Sequence, residues 1–229
     1  MMQVKYSVVV PVYNEEDSVM PLAESIRKAM ALLNEPYEII FVNDGSTDKT
    51  PEGLEKIRES NVNLRVATLK KNSGQTASLK TGFDMAKGEV IISMDGDMQN
   101  DPADIPSLLG KMREGYDVVC GWRKKRHDSL WKKVASKLAN IIQNFVFKSH
   151  LHDIACTLRA YRKGALNAVD LSWNGAHRFI PYLLLKHDSR IAEVEVHHHP
   201  RIYGKSKYKP TKIFKTIKDF LKLIILRKI

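Results

Sequence analysis

A chain of 229 residues, 43% hydrophobic and 28% charged, is long enough to bury one sizeable core and is not composed like a disordered protein. Its two cysteines, Cys120 and Cys156, lie far apart, which argues against a disulfide scaffold or a cysteine-based zinc site and suits a reducing compartment. The net charge of +11 conceals a division: residues 1–121 carry 13 Lys+Arg against 19 Asp+Glu, and residues 122–229 carry 24 against 7. A half at −6 followed by a half at +17 predicts that the second half faces a polyanion: nucleic acid, a phosphorylated ligand or an anionic membrane. The opening "MMQVKYSVVV" lacks the apolar core and cleavage site of a signal peptide. No apolar run approaches the ~18 residues of a membrane-spanning helix.

The first half alternates strand and helix signals. "YSVVVPVY" predicts a strand, and Val19, Leu22, Ile26, Ala29 and Leu33 place a helix over Ser18 to Leu33. "YEIIFV" predicts a second strand, ended by "NDGSTD", where Ser46 or Thr47 is positioned to cap a helix with Pro51 in its first turn. "LRVATL" is a third strand, "NSGQTASLKTGFDMA" a loop then a helix, and "EVIISM" a fourth strand running into "DGDMQN". Pro102 to Glu114 reads as helix and "YDVVCG" as a fifth strand. The fold class is therefore α/β, a mostly parallel sheet flanked by helices.

After Gly121 the texture is basic. "WRKKRHDSLWKKVASKLANIIQNFVF" enters an amphipathic helix with Leu130, Val134, Leu138, Ile141, Ile142 and Phe145 on one side. "DIACTLRAYRK" and "SRIAEVEVHHHP" predict strands, "RFIPYLLLKH" a short helix, and "RIYGKSKYKP" a basic loop. In the last segment Ile213, Ile217, Phe220 and Ile224 share a face opposite Lys212, Lys215, Lys218 and Lys222. Such a helix either lies in a membrane interface or packs its apolar face on the domain or a partner; the preceding basic loop favours the membrane.

In open parallel sheets, ligands bind beyond the carboxyl ends of the strands, so "VYNEE", "NDGSTD", "KKNSGQ" and "DGDMQN" should line one rim. Asp95 and Asp97, with Gln99 nearby, supply oxygen ligands for a hard divalent ion, although D-x-D is also common in plain turns. Glu15 and Asp44 follow buried strands and suit hydrogen bonds from a base or ribose; a turn and helix cap is the ordinary reading of Asp44-Gly45-Ser46. Arg123, Lys132, Arg201, Lys205 and Lys207 offer what a phosphate needs. The triple His197–His199 falls in an alternating strand pattern, which predicts a packing or surface role. No dinucleotide or P-loop glycine motif is present.

Seven motifs in order carry a resemblance: "VVVPVYNEE", "VNDGSTD", "NSGQTASLKTGF", "DGDMQNDPADIP", "YDVVCGWR", "HDIACTLRAYR" and "RIYGKSKY". Together they resemble family 2 glycosyltransferases of GT-A fold, of the polyprenyl-phosphate class that includes dolichol-phosphate mannose synthase and undecaprenyl-phosphate aminoarabinose transferase. The resemblance implies a nucleotide-diphosphate sugar (a UDP- or GDP-sugar) bound near Pro11, Tyr13, Glu15, Asp44 and Asp95. It implies Mg²⁺ or Mn²⁺ on Asp95, Asp97 and Gln99. It also implies an acceptor phosphate on Arg123, Lys132, Arg201 and Lys207, with Asp97, Asp153 and Arg123 catalytic and Arg159 near the sugar. Asn43 stands where many members carry Asp, Lys132 where Arg is frequent, and the C-terminal transmembrane pair of many relatives is missing.

The expected reaction is inverting transfer of a sugar to a dolichyl or undecaprenyl phosphate at the inner face of the cytoplasmic membrane. Residues 1–209 would form the catalytic domain, divided at residue 121 into donor and acceptor halves, and 210–229 a helix at the membrane interface. A small membrane-anchor subunit or homo-oligomer is a further expectation; nucleic acid is not. Two rivals stand beside it: a GT-A enzyme with a soluble glycan or protein acceptor, and a non-catalytic module for anionic lipid or nucleic acid. The clustered carboxylates count against the second.

Overall fold

The computed structural model describes residues 3–124, 140–202 and 219–221. Lys132, Lys205, Lys207 and most of the predicted C-terminal helix lie outside the described residues.

The apolar runs form the strands expected of them. β1 (Tyr6–Val12), β2 (Tyr37–Asn43), β3 (Leu64–Thr68), β4 (Val90–Ser93), β5 (Val118–Trp122), β6 (Arg159–Arg162) and β7 (Ile191–Glu195) make one sheet in the order β3-β2-β1-β4-β6-β5-β7. β1 is buried on both faces except at Pro11, so it needs no polar alternation. α1 (Val19–Ala31) turns Val19, Leu22, Ala23, Ile26, Ala29 and Met30 to the core at helical spacing. α2 (Thr50–Ser60) has Pro51 in its first turn, but Asp48 rather than Ser46 or Thr47 takes the Thr50 N–H, at 3.0 Å. α3 (Gln75–Met85) crosses so close to the sheet that a Cβ on Gly82 would stand 2.2 Å from a Val9 methyl. A single turn of 3₁₀ helix (Pro102–Asp104) leads into α4 (Ile105–Met112).

The sheet is mostly parallel, with one insertion. β6 runs antiparallel between β4 and β5, and only four residues of the predicted "DIACTLRAYRK" strand are extended in it. Because β6 pairs antiparallel with both neighbours, β4 and β5 remain parallel to each other, and β7 pairs parallel with β5. The carboxyl ends of every strand but β6 therefore open on one edge. There they are joined by the segment 153–158 that enters β6 from the same side.

Residues 140–147 form α5, and its polarity is turned around. Ile141, Ile142 and Phe145 face outward, Phe145 being 85% exposed. Inward, Gln143 is buried, the Asn144 amide bonds Leu151 O at 2.7 Å and takes the Tyr182 hydroxyl at 3.3 Å, and Phe147 stacks on Tyr182 at 4.3 Å. Of the apolar face predicted for the last helix, Phe220 is described. It lies against Phe147 and Phe179, while its neighbour Asp219 takes an Arg178 N–H at 2.9 Å. Phe220 therefore packs on the domain.

At the opposite edge from the rim, the Glu38 carboxylate is buried and accepts from Ser7 Oγ (2.7 Å), Lys87 N (2.6 Å) and Arg65 Nη1 (2.9 Å). Burial alone would raise its pKa, but these bonds hold it below the ordinary glutamate value. Glu38→Gln should cost about 2 kcal/mol of stability at neutral pH, a charged hydrogen-bond acceptor having been lost. Since the folded pKa is depressed, the contribution is full above the unfolded glutamate pKa of about 4.3 and disappears as the pH falls through the folded value. Urea melts at pH 7 and pH 3 check this: the gap between wild type and variant should narrow at the lower pH.

Candidate active site

The turn after β4 places two carboxylates at the rim. Gly96 makes the turn possible, since a Cβ there would stand 2.6 Å from a Val12 methyl and 3.2 Å from Pro11 O. Ser18 Oγ donates to Gly96 O at 2.7 Å, tying the turn to the start of α1. Asp95 accepts from Gln75 Nε2 at 2.7 Å. Burial first, and then the negative charge of Asp97, pushes the Asp95 carboxyl up to about 6. Asp97 accepts from Gln99 N at 3.1 Å and, on its other oxygen, from the Arg201 guanidinium. Arg201 also approaches Glu15 Oε1 at 3.8 Å, and Gln99 Nε2 donates to His199 O at 3.4 Å.

Asp95, Asp97, Gln99, Glu15 and Arg201 are thus brought together from three strand ends. Among the described residues no three His, Cys, Asp or Glu side chains form a closed ion cage. Two carboxylates at an open turn suit an ion whose other ligands come from a diphosphate and water.

The neighbouring loops are tied to one another. Asp44 accepts from Ser73 N at 2.7 Å and Gly74 N at 2.9 Å, so both its oxygens hold the loop that starts α3. Asn43 Oδ1 takes Ser46 N at 2.9 Å, closing the turn that follows β2. Asn14, at φ 51°, accepts the Thr47 N–H at 2.8 Å. Pro11 and Tyr13 stand half-buried at the end of β1 beside this loop set.

On the other side of the acidic turn are the cations. Arg123, just past β5, donates Nε and Nη2 to the two oxygens of Asp153 at 2.7 and 3.0 Å, and the pair is almost wholly buried. Asp153 is expected as a catalytic residue; geometrically it is the partner of Arg123. Arg159 is buried on β6, donating to His177 O (3.2 Å) and Ile154 O, with its Nε unpartnered. It lines a small cavity behind Asp95 together with Gln75, Thr157, Tyr161 and His177.

The histidine triple divides between surface and interior: exposed His197 pairs with Asp104 at 2.8 Å and exposed His199 with Asp101 at 3.0 Å, while buried His198 forms a backbone β-bridge with Asn100. Gln75, Thr157 and Glu193 are site-adjacent residues that sequence reasoning did not single out. Gln75 and Thr157 lay within quoted motifs without being picked out; Glu193 lay only in a predicted strand and has no signal in a single sequence.

A model of the family described as glycosyl transferase family 2 matches residues 7–170. The chain belongs to glycosyl transferase family 2. It is 41% identical over 223 residues to dodecaprenyl-phosphate galacturonate synthase of Rhizobium johnstonii, covering 95% of this chain and 66% of that protein. It is 38% identical over 218 residues to undecaprenyl-phosphate 4-deoxy-4-formamido-L-arabinose transferase of Yersinia enterocolitica, at 95% and 66% coverage. The Proteus mirabilis counterpart is 39% identical, at 95% and 67%. The chain spans about two thirds of the length of these curated relatives. Glucosyl-3-phosphoglycerate synthase of Mycobacterium tuberculosis, solved with Mn²⁺, UDP and phosphoglyceric acid, superimposes with a TM-score of 0.72 at 19% identity. That match covers 98% of this chain and 78% of the other. The fold is GT-A-like.

Proposed function

We propose that this family 2 glycosyltransferase transfers a sugar from a nucleotide-diphosphate sugar to a polyprenyl phosphate, with inversion at the anomeric carbon. The observation that carries the reading is the meeting of Arg201, from the segment after β7, with Asp97, from the turn after β4. It sets a cation of the basic half against the acidic rim of the other half. The curated relatives act, by name, on dodecaprenyl and undecaprenyl phosphate, which supports the acceptor class.

A phosphate monoester oxygen would attack the anomeric carbon while the bond to the nucleoside diphosphate breaks and its electron pair leaves with the diphosphate. With a second pKa of about 6, the acceptor is ionised at neutral pH and needs no strong general base. That agrees with an Asp153 engaged by Arg123 at both oxygens. Arg123 and Arg201 would hold the acceptor phosphate, a positioning and charge-balancing task; Lys132 and Lys207 join them in the proposal. Pro11, Tyr13, Glu15 and Asp44 would border the nucleoside, with Asp44 acting chiefly through the loop it holds.

The residues of the acidic turn fit Mg²⁺ or Mn²⁺. Asp97 already attracts a guanidinium as a stand-in cation, and Asp95 and Gln99 stand beside it. When bound, such an ion would neutralise charge on the departing diphosphate. The Mn²⁺- and UDP-bound fold neighbour supports this at the level of the fold.

We place the protein peripherally on a membrane. No helix of the described residues is long and apolar enough to cross one. The outward Ile141, Ile142 and Phe145 of α5 instead present an apolar patch in the basic half, suited to a lipid interface. Ile141→Ser with Phe145→Ser should reduce binding to anionic vesicles by about 10²-fold, two large apolar side chains no longer being buried in lipid. Co-sedimentation at matched ionic strength checks this.

The deciding experiment screens labelled nucleotide sugars with undecaprenyl phosphate. Label entering the organic phase supports the proposal, whereas transfer only to soluble acceptors sinks it. Turnover that persists in excess chelator would remove the metal from the scheme.

A further inference from the structure

We propose that Glu193, on β7, positions Arg123 for the acceptor phosphate, acting through Asp153 and His152. This rests on the reading of Arg123 given above, and nothing in the sequence singles Glu193 out. Its strand is Ile191-Ala192-Glu193-Val194-Glu195, in which Ala192 and Val194 pack on one core cluster and Ile191 on the other. Glu193 shares the face of Ile191 and pairs across the ladder with Cys120, three residues before Arg123.

A carboxylate at such a place is costly unless its oxygens are filled. They are. Oε1 accepts from His152 N at 2.9 Å and Asp153 N at 3.0 Å, and Oε2 accepts from His152 N at 2.8 Å and meets His152 Nδ1 at 2.8 Å. Glu193 is 10% exposed.

The consequence reaches Arg123 by two routes. The Asp153 backbone that Glu193 holds carries the carboxylate that takes Arg123 Nε, Nη2 and, at 3.2 Å, the Arg123 backbone N–H. The His152 ring that Glu193 holds stacks on Trp122 at 4.3 Å and 21°, so the residue preceding Arg123 is clamped as well. Two of the five guanidinium N–H groups are set by Asp153, which fixes the plane of the fork and hence the direction in which it can meet a phosphate. Glu193 touches no reacting atom; it is a positioning residue.

The test uses Glu193→Gln and Glu193→Ala in the full chain, with circular dichroism confirming that both fold. The first readout is the ¹⁵N–¹H resonance of Arg123 Nε, identified by its loss in Arg123→Lys. It should be distinct and slowly exchanging in wild type, retained in Glu193→Gln, which keeps one acceptor oxygen, and moved to the free-arginine position in Glu193→Ala. The second readout is kinetic. Glu193→Ala should raise the KM for polyprenyl phosphate about tenfold with the donor KM unchanged, as expected for losing one charge-assisted constraint, and Glu193→Gln should restore most of it. An unchanged Arg123 resonance in folded Glu193→Ala overturns the proposal. Equal rises in both KM values would do so too. The resonance needs no turnover, so absence of transfer to polyprenyl phosphate would count against the proposed reaction and leave the positioning answer standing.

Discussion

Asp97→Asn should lower sugar transfer by about 10³-fold, the scale of losing a group that stabilises charge on a leaving diphosphate. The side chain is 13% exposed and its partners are a backbone N–H of its own turn and Arg201, so the fold should survive. The amide retains an oxygen for Gln99 N while losing the charge that attracts a cation. Thermal melting should therefore be nearly unchanged and Mn²⁺ binding, followed by calorimetry with UDP present, should vanish. A variant that binds Mn²⁺ like wild type, or transfers sugar at the wild-type rate, would remove Asp97 from the site.

Arg201→Ala carries the second large effect, and its two halves have opposite signs. In this structure the guanidinium sits on one oxygen of Asp97, the carboxylate proposed to hold a metal ion, and lies 3.8 Å from Glu15. On the proposed reading, guanidinium and metal would compete for one carboxylate. Removing Arg201 should tighten Mn²⁺ binding in the absence of donor by about tenfold, the worth of one charge-assisted pair. The same change should slow transfer by about 10²-fold, because the cation proposed to hold the acceptor phosphate is gone. Electron paramagnetic resonance of Mn²⁺ gives the first number without any turnover, and lipid-acceptor kinetics give the second. Weaker Mn²⁺ binding in the variant would show that Arg201 assists the ion.

The alternation of strands and helices was legible because burial leaves a period: β1 is a continuous β-branched run, and α1 repeats its apolar residues every third or fourth position. The acidic turn was legible because Asp95, Asp97 and Gln99 are adjacent in sequence. β6 was harder. Its residues look extended, but whether a strand runs with or against its neighbours depends on which strands flank it, and β4 and β5 lie far from it in the chain. The amphipathic α5 shows another limit: a hydrophobic period identifies a face without saying which way it points. Here Asn144 and Phe147 point inward because Leu151, Ser149 and Tyr182 are there to receive them. Phe220 is a third case, since it finds Phe147 and Phe179 rather than open surface.

Local chemistry followed from residue order alone: the parallel-sheet class, the acidic rim motif, the basic second half and the family resemblance. Those features are written in composition, period and short spacings, which survive without coordinates. Pairings between distant segments did not follow: Arg123 with Asp153, Arg201 with Asp97, and Glu193 with the 152–153 turn are separated by 30, 104 and about 40 residues. Such contacts exist only once β4, β5, β6 and β7 are set in one sheet. The reason is geometric, because a side chain's partner is chosen by strand order and register, and a single sequence states neither.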